Sequence, residues 1–299
     1  MLAHWSASWP VLIGYVVVAG WHLAGLRRLL AGATAGQSAS PLAPVSRAEL
    51  RREAALFQVG LLMVALALVS PLGYWSDVYI WVRAAQALVL AIIGPGLMVV
   101  GAPWLALGAL VRLRPEGRAA GGINPVPPWS SWFSRPLLAV IVFAVVFVGW
   151  QLPALYDPAR SDSAVALAEH ASYLAVGALL WLQLISSRPI SPRSSPLRRL
   201  AALVGATGVS TVLGMVLVFG SSVRYPAYAN PAHHVLTVLD DQQLSGAVLW
   251  MGMLPPLIIA GLALIMQWLN NEETADLSAG LDRLLTPRRG GWPSRPVIR

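Results

Sequence analysis

The sequence contains no cysteine and no lysine, and all 21 of its basic residues are arginine. Without cysteine there are no disulfides, no thiolate metal ligands and no thiol redox chemistry. Charge is scarce as well: only 11% of the 299 residues are charged, against 57% hydrophobic. Soluble domains carry about 25% charged residues, so an ordinary soluble domain is excluded. No nucleophile–base pair, phosphate loop or metalloprotease motif is visible, and the chain does not read as an enzyme. No internal repeat is visible either. No arginine precedes Arg27, so the opening residues lack the positive start of a cleaved signal peptide and the first apolar run is expected to remain.

What the sequence does have is long apolar runs, each of the roughly 20 residues needed to cross a hydrocarbon core about 30 Å thick. They predict an all-α polytopic membrane bundle with seven spans, at about 10–29, 54–72, 78–100, 136–152, 164–185, 200–219 and 246–269. Membrane lipid is therefore its surrounding partner. Trp104–Leu113 is expected along the membrane surface, 114–135 as a Gly/Pro/Ser/Trp-rich loop, and 271–299 as a mobile charged tail. Gly94-Pro95-Gly96 in the third span predicts a break, because proline removes a helix hydrogen bond.

The net charge of +8 would point to nucleic acid in a soluble protein, but here the arginines sort by loop. Eighteen fall in the loops after spans one, three and five and in the tail; only Arg160 and Arg224 fall on the other side, and Arg83 lies inside a span. This asymmetry predicts an outer N-terminus and a cytoplasmic C-terminus, and it removes nucleic acid as a partner.

Once oriented, the polar residues gather. Arg83 lies five residues into a span entered from outside, and Glu169 and His170 lie five and six residues into another. At about 1.5 Å per residue all three sit roughly 7–9 Å deep. Gln86 is one turn below Arg83; Gln151, Tyr156 and Asp157 mark the outer end of the fourth span. Asp240, Asp241, Gln242 and Gln243 open the seventh. Each has an ordinary reading: Arg83 snorkels to headgroups, the glutamines bridge helices, His170 is a hydrogen-bonded structural histidine, and an aspartate caps its own helix. The alternative is an outer-face site with Arg83 facing Glu169. Met251 and Met253, one to two turns into the seventh span, are core filler or thioether ligands of Cu(I). His233 and His234 sit in a loop; His22 lies at a different depth from His170, which argues against a b-type haem.

The third-span stretch QALVLAIIGPGLMVVGAPW, the segment QLPALYD, the pair Glu169-His170, then YPAYA and DDQQLSGAVLW resemble the CtaG family of cytochrome c oxidase assembly proteins, over about residues 55–270. The resemblance implies a role in maturing a haem–copper respiratory oxidase, with oxidase subunits as partners, a bacterial inner-membrane location, and copper handled at the outer face. Its third span carries two histidines four apart around a glutamine; here the glutamine is Gln86 and those positions are Arg83 and Ala87. The family histidine before LPALYD is Gln151 here, and the fifth-span pair falls at Ala166 and His170. The residues left for a metal or polar site are His170, Glu169, the Asp240–Gln243 run and Met251; a metal-free scaffold is the other reading. Two rival classes remain: an integral or quinol-binding subunit of an electron-transfer complex, and a solute transporter. A transporter calls for repeats and paired broken helices.

Overall fold

The computed structural model describes residues 9–32, 46–109, 135–188, 190, 192, 194–228 and 236–285, with side chains as far as residue 270. Its helices are α1 (Trp9–Gly32), α2 (Arg47–Val69), α3 (Pro71–Ser76), α4 (Ile80–Leu88), α5 (Gly94–Val100), α6 (Trp104–Gly108), α7 (Pro136–Gly149), α8 (Pro153–Ser161), α9 (Ser163–Leu184), α10 (Pro196–Val218) and α11 (Val238–Leu285). A π-helical turn, Val89–Ile93, joins α4 to α5, and a 3-10 turn spans Pro226–Tyr228. The expected all-α membrane architecture is what is observed: six helices are long and apolar enough to cross a membrane, or seven when the bent pair α7–α8 is counted as one span.

Local chemistry sets the ends. Ser46 accepts the Glu49 N–H, so α2 starts at Arg47, earlier than the apolar run. Asp162 accepts from Ala164 N and Val165 N and starts α9. α7 stops at Gly149, and Pro153 opens α8 at an angle of 66°. The 14 residues of α7 reach only about 21 Å, short of a hydrocarbon core about 30 Å thick. Of the surface helix expected at Trp104–Leu113 the described part is α6, which packs on α1 through Trp21 Nε1–H donating to Leu107 O at 3.0 Å, while 110–113 lie outside the described residues. The helix of the last span outlasts its apolar run and continues to Leu285, past the boundary expected at 269.

The third span departs most from expectation. Gly94-Pro95-Gly96 does not break it: the chain stays helical from Ile80 to Val100 and is the most buried of the spans. The π turn absorbs the proline, with the Gly94 N–H reaching back five residues to Val89 O. Trp181 Nε1–H donates to Ile92 O at 2.8 Å, so a neighbouring helix braces a carbonyl of the turn just before the proline. At the same crossing Gly177 lies against Ala91, where an added Cβ would stand 2.1 Å from the carbonyl oxygen. The transporter signature of broken helices is therefore weaker still.

Around this central helix, α4 packs on α11, α5 on α2 and α9, α10 on α11, and α7 on α9 and α10. Gly214 and Gly246 let α10 and α11 approach closely: a Cβ on either would fall 2.6–2.7 Å from the other's carbonyl oxygen. Phe143, Phe147, Leu180, Leu249 and Met253 fill the interior. α1 is peripheral, with 17% of its apolar window buried.

Candidate functional site

Arg83, in the first turn of α4, is 6% exposed. Its guanidinium donates to Glu169 Oε2 at 2.7 Å, to Tyr156 O at 2.8 Å and to the Tyr228 hydroxyl at 3.2 Å. Its carbon lies 3.9 Å above the centre of the Tyr156 ring. Burying an unpaired arginine costs several kcal/mol; here a carboxylate, a carbonyl, a phenol and an aromatic face share the charge. Glu169, 3% exposed on α9, is equally dependent on Arg83.

Tyrosines build the cage. Tyr228 passes its own hydroxyl hydrogen to Ser76 O at 3.0 Å, and Tyr225 donates to Gln151 O at 2.8 Å. The Tyr156 ring lies 4.2 Å from that of Tyr225 and 5.7 Å from that of Tyr228. Gln151 Nε2–H reaches the Tyr173 hydroxyl at 3.5 Å. Burial pushes the Tyr225 phenol up to about 12 and the Tyr228 phenol above its ordinary value, although nearby arginines oppose both shifts. Both remain neutral donors at physiological pH. Arg160 closes the cluster from above: Nε donates to Asp77 O at 2.7 Å, its other arm donates to Ala227 O, and its charge lies 4.9 Å over the Tyr228 ring.

The Asp240–Gln243 run clasps neighbouring segments of backbone. Asp240 forms a local cap, with its N–H donating to Thr237 Oγ1 at 3.1 Å and its carboxylate accepting the Thr237 hydroxyl at 2.6 Å. Asp241, one residue and about 100° further round the helix, is fully buried and points the other way. Its oxygens accept the N–H groups of Ile80 at 2.9 Å and Trp81 at 3.0 Å, capping α4, whose own N-cap residue Tyr79 does not cap it with its side chain. Gln242 takes the Arg224 N–H at 2.7 Å and gives to Ser222 O at 3.1 Å; Gln243 gives to Gly220 O at 3.2 Å. Three of the four residues thus hold neighbouring backbone.

The remaining candidates separate. Gln86 Nε2–H bridges to Ala67 O at 2.8 Å. His170 is partly buried beside Glu169. Met251 is 66% exposed on the outside of the bundle and leaves the site, while Met253 belongs to the core. Asp157 joins Asp77 and Arg160 at the rim of an open cavity of about 670 Å³. His22 meets Gln58 Nε2 at 3.1 Å and stacks near Phe57, away from the cluster. His233 and His234 lie outside the described residues. Tyr173, Tyr225, Tyr228 and Arg160 were not singled out from sequence. YPAYA and the one-turn step from Glu169 to Tyr173 were the signals for three of them.

A copper ion does not fit this donor set. Glu169 Oε2 already accepts from the Arg83 guanidinium at 2.7 Å, so its charge is neutralised by a fixed cation. Among the described residues no three His, Asp or Glu side chains converge. Comparison with curated proteins and with solved structures gives no match. Comparison with family descriptions gives one that matches residues 15–271, nearly the whole bundle that carries the arginine cage. The chain belongs to the family of cytochrome c oxidase caa3 assembly factors.

Proposed function

We propose that this chain assists the assembly of a haem–copper oxidase as a metal-free scaffold, with oxidase subunits as its partners and no reaction of its own. The observation that carries the reading is the buried Arg83–Glu169 pair, 2.7 Å apart. Arg83 stands where the resemblance places the first of the family's third-span histidines, and it neutralises Glu169 with a guanidinium. The arginine count supports an orientation with this cage at the outer face of the bacterial cell membrane. The cage, its tyrosines and the clasp then present a rigid end to an incoming oxidase subunit.

Two measurements test the reading. Metal analysis of protein purified from copper-supplemented cells should find far less than one copper per chain; about one tightly held copper overturns the metal-free part. Deleting the gene should lower the activity and copper content of the host's haem–copper oxidase. An unchanged oxidase would refute the assembly role.

A further inference from the structure

Between α7 and α10, on the membrane-facing side of the bundle, runs a cleft of about 560 Å³ whose apolar length lies outside the arginine cage and borders it only at Gln151 and Tyr225. Ala144, Val148, Val209, Val212 and Val216 line it, and Gly208 forms part of its wall. From Ala144 to Gln151 it extends about 10 Å along the helices. The volume lies within the range of small-ligand pockets. Two turns of a transmembrane helix, the length of the cleft, would need on the order of 850 Å³, so the cleft suits a flexible hydrocarbon chain and not a partner helix.

The mouth of the cleft carries charge. Arg224 and Tyr225 stand there beside Gln151 and Pro153. Three arginines sit at this end of the bundle. Arg83 is paired with Glu169, and Arg160 donates to the Asp77 and Ala227 carbonyls. Arg224 is exposed, and its guanidinium forms no ion pair among the described residues. Its backbone is nevertheless fixed, because its N–H donates to Gln242 Oε1 at 2.7 Å. An apolar slot ending at an anchored, unneutralised cation is complementary to one molecule class.

We infer that the α7–α10 cleft binds one anionic phospholipid, an acyl chain lying between the two helices and its phosphate meeting Arg224. This site is independent of the assembly role.

Native mass spectrometry tests it on the purified full chain, with phosphatidylglycerol or phosphatidylcholine of identical chains as probes. The wild type should retain one phosphatidylglycerol with about fivefold preference over phosphatidylcholine, the worth of one near-surface arginine contact. Arg224→Gln should erase that preference while keeping phosphatidylcholine-level binding. Gly208→Trp should lose both lipids; a Cβ at Gly208 meets nothing within 4 Å, so the indole fills the cleft without disturbing backbone. Size-exclusion profiles confirm that both variants fold. Equal retention of the two lipids by the wild type, or wild-type binding by Gly208→Trp, overturns the inference. So does extraction of a quinone instead of a phospholipid, or a photo-crosslink from Val212 that captures a protein helix.

Discussion

Replacing Arg83 by methionine removes the cation but keeps a side chain of comparable length. Glu169, 3% exposed, then faces Tyr156, Tyr228 and the core with no compensating charge. Breaking a buried pair from one side costs about 3–5 kcal/mol. Glu169→Met should cost less, about 2 kcal/mol, because Arg83 keeps the Tyr156 carbonyl, the Tyr228 hydroxyl and the ring face. The double variant leaves no orphaned carboxylate. Its loss should therefore fall short of the sum of the singles by about 2–3 kcal/mol. The assay is equilibrium unfolding in mixed micelles followed by tryptophan fluorescence, since 13 tryptophans report on the bundle. Additivity within about 0.5 kcal/mol would refute the pairing as the organising contact of the cage. A single Arg83→Met loss below about 1 kcal/mol would show that the site is hydrated and the charge screened.

Three further outcomes are expected. Asp241→Ala should cost about 2–3 kcal/mol and raise amide exchange at Ile80 and Trp81, whereas Asp240→Ala should cost about 1 kcal/mol or less; equal losses would contradict the clasp. Gly177→Ala drives a methyl into the Ala91 carbonyl and should cost about 2–3 kcal/mol, while Gly208→Ala, with open space around it, should stabilise by about 0.5–1 kcal/mol; unfolding curves of the two distinguish close packing from glycine content. Alkaline titration offers a third test, because a chain without lysine or cysteine has only tyrosines to ionise between pH 10 and 12. Tyr225 ionises near 10 when unfolded and near 12 when folded, so the folded chain holds the extra proton and stability falls as pH rises through that window. Tyr225→Phe should make the fall shallower; an unchanged slope of unfolding free energy against pH would show that Tyr225 is not buried as described.

Much of this was legible because it depends on quantities a sequence states directly. Apolar run lengths reveal the spans, and counting residues from a span's start puts Arg83 and Glu169 at one depth, where the structure joins them. What sequence did not reveal is angular phase and company. Asp240 and Asp241 are identical neighbours, yet one serves its own helix and the other caps a helix some 160 residues earlier in the chain. Only the packing of α11 on α4 decides which. Met251 turns on the same point: its depth in the span says nothing about which side of the helix it occupies, and the structure leaves it exposed on the outside of the bundle. The proline misled differently. Pro95 predicts a break when its own helix is considered alone, but the backbone rewinds into a π turn instead of parting, with Trp181 from α9 donating to Ile92 O within it.

That rewinding has a further consequence. A π turn accommodates one residue more than the α-helical path it replaces, and one residue is about 100° of rotation. Val89–Ile93 therefore acts as a phase setter within a single continuous span. Upstream, α4 turns Arg83 toward Tyr156 and Glu169 while packing on α11; downstream, α5 turns Gly96 toward Trp181 and Gly94 toward α2. A one-residue deletion in this turn would relax it to ordinary α-helix and leave every side chain of the cage chemically intact. The flanking helices would keep their phase, because the α-helical path needs one residue fewer, whereas an α-helix carrying every residue of the turn would swing the arginine about 100° away from its carboxylate.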